Sequence, residues 1–138
     1  RLQQAGVEPG GLAAVFITHE HADHAGCVQQ LALRLRIPVW MSRGTHAAMG
    51  APDFDGLLRQ ARDGDMLDIA GMQLQPFTVP HDAREPLQLR CSDGDRALGL
   101  ATDLGHASAH VVDNLQRCHA LLLEALFCWR WRNDISHL

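Results

Sequence analysis

Apolar positions along the chain change their period several times, and each change marks a predicted element. The run LAAVFIT, residues 12–18, is continuous and apolar between glycines and a histidine-rich stretch, the pattern of a strand covered on both faces. From about Ala25 to Arg36, Val28, Leu31 and Leu35 recur at helical spacing until Pro38 stops them, and PVWMS predicts the next strand. Strand, loop, helix and strand make a βαβ-like unit. Residues 45–49 and 54–62 are predicted as short helices, separated by Gly50 and Pro52.

From Asp65 the period becomes two. DMLDIAGMQLQPFTV predicts a hairpin around Ala70 and Gly71, and PLQLRCSDGDRALGLAT predicts another turned at Asp93 and Gly94. Ser108 caps a predicted helix over residues 108–115, and HALLLE, residues 119–124, predicts a buried strand. No internal repeat or low-complexity linker interrupts these elements.

A chain of 138 residues that is 46% hydrophobic and 20% charged has material for one core. No apolar run approaches the roughly 18–20 residues of a membrane span, and the opening RLQQAGVEPGG, read as a helix tail stopped by Gly6, lacks a signal pattern. A cytoplasmic protein without membrane partners is expected. Cys27, Cys91, Cys118 and Cys128 show no C-x-x-C spacing and are expected as free, buried thiols, with Cys27 packed in the core. A net charge of -4 with twelve basic residues, all of them Arg, neither requires nor excludes a nucleic-acid partner.

The stretch HEHADH changes this picture. His19 and His21 are two apart, so in an extended backbone their side chains point the same way and can grip one ion. Asp23 and His24 follow at the entrance to the helix and offer an adjacent pair of ligands. Imidazoles and a carboxylate without nearby thiolates suit Zn²⁺, Mn²⁺ or Fe²⁺ in a site that keeps a position open for water. An H-E-x-x-H zincin is excluded, because position 23 is Asp.

THEHADH, residues 18–24, resembles the signature loop of the metallo-β-lactamase fold hydrolases, and the resemblance extends from about Leu2 to Glu124. VPHDA places His81, and TDLG places Asp103, where that family carries its third histidine and its bridging aspartate. The wording VPHDA followed by TDLG, with HALLLE after it, is similar to the YycJ (WalJ) branch of phosphodiesterases and nucleases. The resemblance implies an α/β (α+β) fold, part of an αββα sandwich, over residues 1–124. It further implies that His19, His21 and His81 hold one divalent ion, that Asp23 and His24 hold a second, and that Asp103 bridges them. Zinc is the expected metal, with manganese or iron as alternatives.

Within that resemblance the activity would be hydrolysis of a phosphodiester, DNA and RNA included, by a metal-bound hydroxide that Asp23 helps to orient beside Asp103. Asp82 or Thr18 is expected to fix an imidazole. Thioester or lactone hydrolysis on the same fold is the alternative, and an inactive metal-binding fragment a further one. Set against that family, the chain is expected to be without its early strands, and with Ala125, Leu126 and Phe127 where the branch has Asn-His-Asp, residues 125–138 are expected to be an atypical tail without the last ligand of the second metal. An exposed sheet edge would then favour a homo-oligomer. Phe127, Trp129 and Trp131 alternate as in an edge strand, and His46, His106, His110, His119 and His137 are assigned to no metal.

Overall fold

The computed structural model describes residue 4 and residues 6–124. The expectations for the N-terminal helix tail and for residues 125–138, Cys128 and His137 among them, lie outside the described residues. The element order is β1 (Val15–Phe16), α1 (Ala22–Ala25), α2 (Val28–Leu35), β2 (Val39–Met41), α3 (Arg43–Ala48), β3 (Leu58–Gln60), β4 (Leu67–Ile69), β5 (Met72–Thr78), β6 (Leu87–Ser92), β7 (Ala97–Ala101), α4 (Ala109–Leu115) and β8 (Ala120–Leu123).

These strands form two sheets. The first has the order β1-β2-β3 and is wholly parallel; the second has the order β4-β5-β6-β7-β8. In the second sheet β4 to β7 are antiparallel neighbours, while β8 returns parallel to β7 through α4. Alternation along the strands explains the layering. Val15 of β1 and Ile17 just after it join Val28 and Ala32 of α2 in one core cluster, whereas Phe16 faces the other way onto Leu74, Leu89 and Cys91 of the second sheet. On β5, Leu74 belongs to that middle cluster and Phe77 to a third, closed by Val111 of α4. Helix, sheet, sheet and helix are thus held by three apolar layers, the expected αββα arrangement.

Local chemistry sets the element ends. Ser42 and Ser108 cap α3 and α4, their hydroxyls accepting from Thr45 N–H and Val111 N–H. Ala70 and Gly71 both have positive φ, 54° and 81°, the geometry of a two-residue hairpin turn.

Four expectations need correction. Residues 54–62 contain the strand β3 rather than a helix: Ala51, Asp55 and Gly56 take positive φ, which breaks a helix, and Leu58 to Gln60 pair with β2. The helix expected from Ala25 begins earlier and is split at Gly26 and Cys27 into α1 and α2. Cys27, before α2, is exposed rather than packed in the core; Cys91 is buried, Cys118 half-buried, and all three are free. The strand β8 forms but is exposed, with Leu122 62% accessible, because it is the last strand in the sheet order among the described residues. No described helix is long and apolar enough to cross a membrane.

Candidate metal centre

The chain leaves β1 through Ile17, whose N–H still bonds Trp40 O, and runs extended to His21 before turning into the short α1. This puts His19 fully inside the molecule, with 0% exposure, and its ring beside those of His21, His24 and His81 at centroid distances of 4.6, 4.1 and 4.6 Å. The Nε2 of His19 lies 3.1 Å from His21 Nδ1. His81 follows β5 and Asp103 follows β7, so strand ends from both sheets meet here.

Two groups result. His19, His21 and His81 form one; His19, His24 and Asp103 form the other; within each, the ligand atoms lie within 4.8 Å of one another and can hold a metal ion. Asp103 Oδ2 is 3.0 Å from His24 Nε2 and 3.8 Å from His19 Nε2. Asp23 is not brought into either group: its carboxylate is 81% exposed and stands 3.6 Å from His24 Nε2.

The donor set fits a cation. The buried atom His81 Nε2 has no hydrogen-bond partner, and Asp103 Oδ2, though 3.0 Å from His24 Nε2, makes no hydrogen bond, a costly state for lone pairs unless an ion satisfies them. Burial, reinforced by the neighbouring imidazoles of His24, His81 and His21, lowers the His19 pKa to about 4 against the opposing pull of Asp103. His19 is therefore neutral at pH 7, the form that binds a metal.

Several side chains outside the expected ligand set hold this arrangement. Gln88 is buried in β6 and its amide brackets Thr102, donating to the carbonyl at 2.6 Å and accepting from the N–H at 3.1 Å, one residue before Asp103. Glu124 accepts from Asp103 N–H at 3.1 Å and so supports a residue whose φ is 53°. Glu20, between two of the histidines, accepts from Arg84 N–H at 2.7 Å and joins the loop after β1 to the loop after His81. Gln88 falls on the polar alternation of LQLRCS with Arg90 and Ser92, so nothing in the sequence marks it for this role.

Of the two expected imidazole partners, Thr18 stands 3.0 Å from His19 Nδ1. Asp82 makes no hydrogen bond to an imidazole among the described residues. The other histidines have local partners: His46 with Pro52 O, His110 with Asp63, and His119 with Ala97 N–H. His106 is exposed.

Residues 1–122 match the family model of the Metallo-beta-lactamase superfamily. The chain is 27% identical over 128 residues to exodeoxyribonuclease YycJ of Bacillus anthracis, covering 89% of this chain and 48% of that protein. It is 29% identical over 122 residues to hydroxyacylglutathione hydrolase of Xylella fastidiosa, covering 83% of this chain and 45% of that one. The chain spans about half the length of these relatives. Among solved structures, Zn²⁺-bound PqqB from Methylobacterium extorquens is similar with a TM-score of 0.70 at 14% identity, over 80% of this chain and 45% of that one.

Proposed function

The chain belongs to the metallo-beta-lactamase superfamily, and on that premise we propose that it is a metal-dependent hydrolase of phosphodiester bonds. The observation that carries this reading is the meeting of two ligand groups at His19, with His81 Nε2 and Asp103 Oδ2 buried and making no hydrogen bond beside it. His19, His21 and His81 would hold one divalent ion; His24 and Asp103 would hold a second, with Asp103 placed to reach both and Asp23 able to join. Zinc suits the donors, and manganese or iron are the alternatives. Such a pair of ions, when bound, makes water nucleophilic near neutral pH and stabilises the attacking and leaving oxygens at phosphorus.

The chain's own residues prepare that chemistry. Thr18 beside His19 Nδ1 can accept the proton of the Nδ1–H tautomer, the form whose Nε2 lone pair is free for an ion. The exposed Asp23 carboxylate is the group we assign to hold the proton lost by the attacking water. Phosphodiesters are preferred as substrate because VPHDA and TDLG resemble the YycJ branch, and because the relative at 27% identity is an exodeoxyribonuclease. The hydroxyacylglutathione hydrolase relative favours thioester hydrolysis as the second reading.

Purified chain reconstituted with Zn²⁺ or Mn²⁺ is tested on bis-p-nitrophenyl phosphate, double-stranded DNA and a glutathione thioester. Hydrolysis of either phosphodiester substrate, with two metal equivalents per chain, is the expected result. Turnover of the thioester alone would reject this reading, and one equivalent or none without turnover would favour an incomplete metal-binding domain.

A further inference from the structure

Beside the candidate metal centre lies a groove of about 590 Å³ lined by Arg43 and Gly44 of α3, Ala61 and Arg62 after β3, and Arg84 and Glu85 of the loop that follows His81. The three arginines come from three separate parts of the chain and are all exposed. Four other guanidiniums are engaged with the protein: Arg36 with Asp55, Arg59 with Gly56 O, Arg90 with Gln116 O and Arg96 with Asp95, while Arg34 and Arg117 stand apart from one another and from this groove's lining. Among the described residues, those of Arg43, Arg62 and Arg84 bond neither a carboxylate nor a carbonyl. The one carboxylate lining the groove, Glu85, is turned onto α3, where its Oε2 accepts from Gly44 N–H.

The groove is built rather than incidental. Glu85 O accepts from the buried Ser42 hydroxyl at 2.7 Å, and a methyl at position 44 would run into the Glu85 side chain, so glycine there permits the loop to sit against α3. The same loop is bonded to the site itself, because Arg84 N–H donates to Glu20, between His19 and His21. On a chain of net charge -4, the convergence of three arginines with a single carboxylate on one groove concentrates positive charge.

We propose that Arg43, Arg62 and Arg84 bind backbone phosphates of a DNA substrate flanking the phosphate that reaches the metal centre. This deepens the phosphodiesterase reading and rests on it. A small diester has no charge beyond the reacting group and a glutathione thioester offers only two carboxylates, whereas a polynucleotide carries a phosphate at every step.

The test is fluorescence anisotropy of a labelled DNA duplex in EDTA, which prevents cleavage, over a salt series. We expect affinity to fall with salt, and Arg43→Gln, Arg62→Gln and Arg84→Gln each to weaken binding and lower the slope of log K against log salt by about 0.9. Arg→Lys at the same positions keeps the slope, and Arg34→Gln, on the exposed side of α2, leaves it at the wild-type value. No binding by the wild type, wild-type slopes in all three Gln variants, or an equal effect from Arg34→Gln would overturn the proposal. Hydrolysis of bis-p-nitrophenyl phosphate, read alongside, separates the two ideas. Diester cleavage with wild-type slopes in the variants sinks the groove alone, while groove-dependent DNA binding without diester cleavage sinks the proposed activity alone.

Discussion

The three-stranded sheet carries His19 and His21 on the loop after β1 and Asp23 and His24 on the short α1 that follows it, whereas the five-stranded sheet reaches the same place with His81 and Asp103 from two separate loops. Their ladders are very different: β1 pairs with β2 over two residues, and β5 pairs with β6 over six. Yet His81 lies beyond the last pair, Thr78 with Leu87, and Asp103 beyond Ala101 with Leu123. On the short-strand side the placing is done by local spacing and the turn into α1. On the long-strand side it is done by side-chain and loop bonds, from Gln88 to Thr102, Glu124 to Asp103 and Gly105 N–H to Pro80 O. Strand length therefore orders the scaffold without ordering the site.

The largest effect is expected where the two sides share a residue. His19→Ala removes a member of both groups, so metal content measured by mass spectrometry should drop below one equivalent, with turnover down about a hundredfold or more. His24→Ala touches one group and should spare the other ion; equal loss from both variants would erase the distinction between the groups.

Next is Gln88→Leu, which strips Thr102 of its buried partners and should cost about 2 kcal/mol in thermal unfolding, with metal affinity about tenfold weaker. Unchanged melting and metal binding would show that the β6–β7 ladder alone holds Asp103 in place.

A third test is the pH dependence of the metal-free protein. His19 binds its proton near pH 4 when folded and near 6.5 when unfolded, so between these values the unfolded state takes up more protons. Stability should be fully present above about 6.5 and fall as the pH drops toward 4, read as the melting temperature in EDTA, and His19→Gln should flatten that slope. A profile identical to the wild type in His19→Gln would place the titrating group elsewhere.

Much of this was legible along the chain. The alternation around Ala70 and Gly71 and around Asp93 and Gly94 named both hairpins, and Ser108 marked its helix. The failures share a cause. Leu58 to Gln60 looked helical because apolar spacing in a short segment fits either period, and pairing with β2 decided for strand. The burial expected of β8 and of Cys27 depended on neighbours that spacing does not report.

At the centre the same division holds. HEHADH announces metal chemistry, because residue type and a spacing of two are enough to bring imidazoles together on an extended backbone. VPHDA and TDLG name His81 and Asp103 as companions, by resemblance. The meeting of His19 with both groups, the exclusion of Asp23 to solvent, and the roles of Gln88, Glu124 and Glu20 follow from contacts between residues far apart along the chain. Local periodicity carries the first kind of information; the second arises only when two sheets pack and leave polar atoms that must find partners.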